Sequence, residues 1–181
     1  RLCEERKPGS PFAGEHPYAL EIGVGIECRN EHELLYIILA QNNNGFEKIN
    51  RFLSHHNREN KKLPEHAPEI ENTFIIYPFG KTEPERLRTN EFMGIRKQQL
   101  NQFALYTARK EFLEKFVILH PVTFATKTDF NTHRLLRAID NNTLLSKLPE
   151  HEQAHPEEVM MKEEELKYHF RAYPELIRNT Q

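Results

Sequence analysis

This sequence is poor in cysteine, in long apolar runs and in excess charge, and each shortage argues against a class of protein. Cys3 and Cys28 are its two cysteines and do not form a Cys-x-x-Cys pair, which favours a reduced, cytoplasmic protein over a disulfide framework. No apolar run approaches the roughly 18 residues that a membrane-spanning helix needs, and no signal-peptide pattern opens the chain. A net charge of −2 argues against a free-standing electrostatic nucleic-acid binder, which is usually basic.

Two common nucleotide-binding signatures are also missing. There is no P-loop and no Gly-x-Gly-x-x-Gly at a strand-to-helix turn, because Gly23 and Gly25 lie inside an apolar run. No serine or cysteine has a base that the sequence identifies as its partner. The sequence therefore gives no sign of a nucleotide cofactor or of an activated nucleophile.

The stretch from residue 22 to residue 54 carries the strongest structural pattern. Its first part, Ile22 to Cys28, is apolar and β-branched, with two glycines and one carboxylate, Glu27, and it predicts a strand. A second apolar run covers residues 34–40, and the charged segment between the two runs is short enough for a hairpin turn. An Asn-rich turn follows, in which Asn44 is predicted to cap the next helix.

Apolar runs and helical patterns alternate along the rest of the chain. With the first two, the runs predict five strands, around residues 22–28, 34–40, 74–77, 91–95 and 116–119. A helix is predicted after Asp129, and a last helix is predicted to end at Pro174. The buried stripe of the first of these helices is predicted to consist of Leu135, Leu136 and Ile139. Strands that alternate with helices predict an α/β protein with a largely parallel sheet.

The order of these features resembles the PHP domain (polymerase and histidinol phosphatase) of the bacterial DNA polymerase III α subunit. The matching features are the glycine-x-glutamate of Gly25 to Glu27, the strand ending in Leu39-Ala40, the Asn-rich turn into Gly45-Phe46, and the helix of Ile, Phe and Leu that follows. The likeness resumes after Phe116 and continues to Gln181. It implies an α/β fold in the form of an incomplete distorted (β/α) barrel of the PHP type.

The resemblance also implies how the chain is organised. It describes a single PHP-like domain over residues 1–181, degenerate and N-terminally truncated, because Arg1 to Lys7 is typical of the end of a helix whose beginning is missing. We therefore expect the chain to be a piece of a longer protein. The expected parts are a helix end (1–7), a loop (8–21), the barrel core (22–148), an acidic loop (149–158) and a C-terminal helical segment (159–181).

PHP enzymes resemble amidohydrolases and bind a cluster of metal ions that activates water. Glu27 matches the metal-binding glutamate of the family, whereas the first histidine ligands would precede Arg1. The run from Phe116 to Phe124 aligns without a gap with the family's Leu-Val-Ala-Thr-Asn-Asp-Val-His-Tyr. The ligand aspartate thereby becomes Pro121 and the ligand histidine becomes Thr123. Proline has no side-chain donor and threonine is a poor zinc or manganese ligand, so Glu27 is expected to be the vestige of a lost metal site.

Two other groups of residues carry weaker hypotheses. Arg134, Arg137 and Lys147 form a modest basic cluster that could touch a nucleic-acid backbone, although a solvated helix face also explains it. His151 and His155 lie in the acidic loop and are expected to be solvated.

The resemblance implies a parent chain that is a DNA-directed DNA polymerase, a nucleotidyltransferase of DNA replication. This domain is expected to be a non-catalytic structural or docking domain of that enzyme in the cytoplasm, with no catalytic residue and no cofactor of its own. Its expected partners are the remaining domains of the α subunit, a proofreading exonuclease subunit and, through the parent enzyme, DNA, but no membrane. The alternative is a metal-dependent phosphoesterase or 3′–5′ proofreading exonuclease, which would use zinc, manganese or iron if the missing N-terminal ligands are present.

Overall fold

A five-stranded sheet runs through the part of the chain that the computed structural model describes, residues 23–181. The expected helix end (1–7) and loop (8–21) lie outside the described residues. All five predicted strands are confirmed, and they lie side by side in sequence order. They are β1 (Gly25–Asn30), β2 (Glu33–Ala40), β3 (Thr73–Pro78), β4 (Glu91–Ile95) and β5 (Phe116–Ile118).

The sheet is mixed and open, which corrects two expectations. β1 pairs antiparallel with β2, and β2 with β3, whereas β3, β4 and β5 pair in parallel. The predicted largely parallel sheet was wrong because a tight hairpin joins β1 to β2, and such a turn can join only antiparallel neighbours. The predicted incomplete distorted (β/α) barrel was also wrong. A barrel requires its two edge strands to pair, and in residues 23–181 β1 and β5 form opposite edges of an open sheet.

Five α-helices accompany the sheet within the described residues: α1 (Asn43–Glu59), α2 (Leu100–Leu105), α3 (Asp129–Asp140), α4 (Glu163–His169) and α5 (Pro174–Thr180). Only α1 and α3 exceed two turns. None of these helices is both long and apolar enough to cross a membrane. The helix predicted to end at Pro174 ends earlier, and Pro174 instead begins α5, because a proline fits the first turn of a helix.

The cap of α1 is Asn42 rather than the predicted Asn44. The Asn42 side-chain oxygen accepts a hydrogen bond from the Gly45 N–H at 3.0 Å, and its backbone is extended, as a cap requires. Asn44 lies inside the helix. The sequence could not separate these candidates, because each is an asparagine preceding the same helical pattern.

The apolar core is a single cluster of buried side chains from all five strands and from α1, α2 and the C-terminal helices. Its aromatic rings meet edge to face around Phe103, whose centroid lies 5.0 Å from that of Phe116 and 5.2 Å from that of Tyr173. These contacts join α2, β5 and the segment between α4 and α5. The C-terminal residues are therefore part of the core.

The stripe predicted to be buried on α3 is exposed. Leu135, Leu136 and Ile139 are 52%, 60% and 67% exposed, and Ala138 is the buried residue of the helix. Instead, α3 turns a polar face to the chain that follows it: Arg134 Nε donates to Gln153 Oε1 at 2.7 Å. The helix is amphipathic, as its periodicity indicates, but its apolar side is exposed and does not pack against the sheet.

The outer edge of β5 is covered by side chains of α5. The Ile118 N–H donates to Thr180 Oγ1 at 2.9 Å, and Asn179 Nδ2 donates to the carbonyl oxygens of Leu113 and Phe116 at 2.9 Å each. An open strand edge is a template for another chain. Here side chains of α5 form hydrogen bonds with some of the backbone groups at the outer edge of β5.

A buried carboxylate holds the middle of the sheet. Glu91, only 3% exposed, accepts hydrogen bonds from the Tyr77 hydroxyl at 3.1 Å and from Arg88 Nη2 and N–H at 2.5 and 2.8 Å. The Arg88 guanidinium also donates to the Ala67 carbonyl oxygen. Burial alone would raise the pKa of the Glu91 carboxyl, but the Arg88 and Tyr77 hydrogen bonds outweigh it and lower that pKa below its usual value.

Gly45→Ala tests the contact between α1 and the chain before β3. A Cβ at Gly45 would overlap the Asn72 carbonyl oxygen, which also accepts the Gln41 N–H at 3.0 Å. We expect the variant to lose about 1–3 kcal/mol of unfolding free energy in urea denaturation, although alanine is the better helix former. Gly23→Ala is the control, since no described atom lies within 4 Å of a Cβ there. Equal losses in both variants would contradict the contact.

Glu91→Gln tests the buried ion pair. We expect a loss of about 3 kcal/mol at neutral pH, the lower end of the range for breaking a buried pair, because Arg88 is partly exposed. Since the folded pKa of Glu91 lies below its ordinary 4.5, its contribution is complete above that pH and is lost as the pH falls further.

The stability difference between wild type and Glu91→Gln should therefore shrink below about pH 4.5 in denaturant titrations across pH. Glu114→Gln, at an exposed glutamate, is the control and should show neither effect. A Glu91→Gln difference that grows on acidification would contradict the assignment.

Candidate functional site

A cleft of about 590 Å³ opens where several strands end. Because β1 and β3 are both antiparallel to β2, the strand β1 runs in the same direction as β3, β4 and β5. Ligands in open α/β sheets bind outside the carboxyl ends of such strands. The cleft is lined by β1, by the residues that follow β1, β4 and β5, and by the segment after α3. The lining side chains include Glu27, Arg29, His32, Arg96, Pro121, Thr123, His151, Glu152 and Glu158.

Glu27 lies on β1 and is paired with Arg29. Its Oε2 accepts hydrogen bonds from Arg29 Nη2 at 2.7 Å and Nε at 2.9 Å. Both side chains are a little under half exposed. Arg29 Nη1 also donates to the carbonyl oxygen of His32 at 3.2 Å, so the same guanidinium braces the hairpin turn.

Pro121 and Thr123 line the same cleft as Glu27. Thr123 Oγ1 donates to Glu158 Oε2 at 2.6 Å, and the Thr123 N–H donates to the Glu158 carbonyl oxygen at 2.8 Å. Arg96 lies 3.7 Å from the other carboxylate oxygen of Glu158. The Thr123 hydroxyl is thus held by a neighbouring carboxylate.

A PHP-type metal centre does not fit the residues around Glu27. Pro121 offers no donor atom, the Thr123 hydroxyl is committed to Glu158, and Glu27 Oε2 is committed to Arg29. Within residues 23–181, Glu27 belongs to no group of three metal-ligating side chains whose donor atoms lie within 4.8 Å of one another. The histidines that the resemblance assigns to such a centre would precede Arg1.

The structure brings together a different set of donors, which the sequence reading missed. His32, at the β1–β2 turn, meets His151 and Glu152, which belong to a 3-10 turn over Glu150–Glu152. The expectation that His151 would be simply solvated overlooked this neighbour. The two histidines lie far apart in the sequence and in no motif, so nothing short of the tertiary structure could have paired them.

Glu152 is oriented by Arg137. Its Oε2 accepts a hydrogen bond from Arg137 Nη2, while its Oε1 lies 3.9 Å from His151 Nε2. Desolvation opposes ionisation of Glu152, but the hydrogen bond and charge of Arg137 lower the pKa of the carboxyl below its ordinary value. Glu152 is therefore ionised at neutral pH.

The predicted basic cluster is divided by the fold. Arg134 donates to Gln153, and Arg137 pairs with Glu152 and, at 2.7 Å, with Asp140. Lys147 lines a separate groove of about 530 Å³ beside Ile139 and Leu144. The two arginines are engaged by the protein's own groups, so only Lys147 remains as a candidate contact for a phosphate backbone.

Cys28 offers no nucleophile. It is fully buried, and burial raises the pKa of its thiol to about 11. The reactive form of cysteine is the thiolate, and at neutral pH this thiol keeps its proton.

No protein-family model and no curated protein matches the sequence of this chain. The resemblance to PHP domains therefore stays a prediction made from the residues quoted above.

Glu27→Gln measures what the Glu27–Arg29 pair contributes. Because both side chains are partly exposed, we expect a loss of less than about 1 kcal/mol of unfolding free energy, and less still at high salt. Arg29→Gln and the double variant complete a thermodynamic cycle that isolates the pair. A coupling energy several times larger, insensitive to salt, would mean that the pair is a structural anchor of the hairpin.

Proposed function

We propose that this chain is a non-catalytic docking domain of PHP type that serves a replicative DNA polymerase III α subunit, whose other domains carry out DNA synthesis. The observation that carries the proposal is that Glu27, Pro121 and Thr123 line one cleft. The resemblance assigns these three positions to a single ligand set, although they come from β1 and from the chain after β5. Their place in one cleft is what a shared ligand set would require.

The chemistry of the cleft supports a non-catalytic role. Two carboxylates around the ligand positions have cationic neighbours of their own: Glu27 with Arg29, and Glu158 with Arg96. A metal centre that activates water needs carboxylates and imidazoles free to bind the ion, with an open coordination position. Around Glu27 the corresponding positions supply an ion pair, a proline and a threonine bound to glutamate.

An exposed apolar surface supports the docking part of the proposal. Leu135, Leu136 and Ile139 of α3 are exposed, and Ile139 and Leu144 border the groove that Lys147 also lines. Contiguous exposed apolar surface marks interaction sites on soluble proteins. We assign this surface to the remaining domains of the α subunit, with a proofreading exonuclease subunit as a further partner.

DNA contact and location follow from the same assignment. DNA reaches the parent enzyme through its other domains, because two of the three residues of the basic cluster bind acidic or amide groups of this domain. The reduced cytoplasm suits a chain with few cysteines, one of them a buried thiol.

The docking proposal is tested by binding to the polymerase core of an α subunit that lacks its own PHP domain. We expect a one-to-one complex by size-exclusion chromatography with light scattering. Ile139→Glu should abolish it, because a charge would have to be buried against the partner. The matched control is Leu105→Glu, at a leucine in α2 that is even more exposed than Ile139 and lies outside this surface, and it should bind as wild type does.

Hydrolysis assays test the alternative function, that of a metal-dependent phosphoesterase or exonuclease. The chain should release no phosphate from a phosphomonoester and no nucleotide from a DNA 3′ end in the presence of Mn²⁺, Zn²⁺ or Fe²⁺. Activity that Glu27→Gln removes while the fold stays intact would overturn the non-catalytic assignment and favour the phosphoesterase or exonuclease. Failure of the core to bind would overturn the docking assignment.

A further inference from the structure

We propose that His32, His151 and Glu152 form a binding site for a divalent transition-metal ion, most favourably Zn²⁺. The bound ion would join the β1–β2 turn to the segment that follows α3. These residues are separate from the ligand positions around Glu27. The site goes beyond the docking function and does not rest on it.

The three side chains are arranged nearly as the ligands of a bound metal ion are. The His32 and His151 rings lie 4.3 Å apart between centroids, with their planes inclined by 43°. One donor atom from each of the three residues lies within 4.8 Å of the other two. Ligands of a tetrahedral zinc are about 3.3 Å apart, given metal–ligand distances near 2.0–2.1 Å. Small side-chain rotations close this difference, and two of the three side chains are exposed and able to make them.

The donor set selects the class of ion. Two imidazoles and one carboxylate suit zinc and its neighbours in the first transition series, whereas calcium and magnesium prefer oxygen ligands alone. Three protein donors leave one tetrahedral position for water or for a group from a partner. Cys28, the cysteine of the described residues, is buried with its proton and takes no part.

Arg137 orients Glu152 for metal binding. Arg137 binds Oε2 and so leaves Oε1 on the side of His151. Outer partners of this kind orient the ligands of metal sites. Arg137 is shared with Asp140, so the two carboxylates and one guanidinium carry a net negative charge that favours a cation.

The His32 side is held by the hairpin. Arg29 donates to the His32 carbonyl oxygen, and Glu31 before it adopts a left-handed backbone with φ of 56°. The hairpin thus fixes the backbone on the His32 side, and on the other side His151 lies within a short 3-10 turn, Glu150–Glu152. A bound ion would tie these two segments together at the rim of the cleft.

The test is a titration of the whole 181-residue chain, freed of metal with EDTA, with Zn²⁺ and separately with Co²⁺. We expect one equivalent of Zn²⁺ to bind, a rise in the melting temperature because the ion binds the folded state, and the visible absorption of tetrahedral Co²⁺. Histidine ring signals in NMR spectra of the wild type should shift for His32 and His151 on addition of Zn²⁺, which tests the site without a substitution.

Substitutions then assign the ligands. His32→Asn, His151→Asn and Glu152→Gln should each weaken Zn²⁺ binding at least as much as the loss of an outer partner does, about 10- to 100-fold. His155→Asn is the matched control: it is an exposed histidine of the same segment, outside the cluster, and should bind Zn²⁺ as wild type does. Circular dichroism verifies that each variant is folded.

Three outcomes would overturn the proposal. They are the absence of Zn²⁺ binding by the wild type, equal loss of affinity in His155→Asn and His151→Asn, and full affinity in the His32→Asn, His151→Asn double variant. The last outcome would mean that other residues bind the ion, such as Cys3 and His16 in residues 1–22. Polymerase binding is read out separately, so failure of the metal site leaves the docking assignment untouched.

Discussion

The centre of this sheet depends on one buried carboxylate. Glu91 at the start of β4 is bonded to Tyr77 on β3 and to Arg88 just before its own strand, and Arg88 reaches the Ala67 carbonyl oxygen. A charge in this position is tolerated only because its hydrogen bonds are satisfied. The group joins the parallel pair of strands β3 and β4 to the irregular chain after α1.

Carboxylates beside arginines recur at the cleft, where they have a different consequence. The pairs Glu27–Arg29 and Glu158–Arg96 are partly exposed, and they add little stability. Their effect is chemical, because they balance the charge of groups that an ion would otherwise bind. Glu152 differs in that Arg137 is shared with a second carboxylate, so the rim near His32 keeps a negative charge. The proposed docking surface and the proposed metal site are therefore compatible, because the first uses the exposed face of α3 and the second uses the rim near His32.

The candidate site was predictable in part. The resemblance assigned Glu27, Pro121 and Thr123 to one ligand set, and all three line one cleft. His32 and His151 carried no comparable signal, since each is a single histidine among charged residues. The exposed apolar stripe of α3 is a second feature that the sequence did not predict. Periodicity identifies the apolar face of a helix, but the neighbour that would cover Leu135, Leu136 and Ile139 is a property of the assembled chain.

The sequence by itself determined the strands, because short β-branched runs bounded by polar turns have few other stable conformations. It also determined the hairpin of β1 and β2, whose turn is too short for any but antiparallel pairing. Only the tertiary structure decided that the sheet stays open and mixed, since strand order and closure depend on contacts between residues far apart in the chain. For the same reason it alone decided that His32 meets His151, because two exposed side chains on separate loops are brought together by the backbone that carries them.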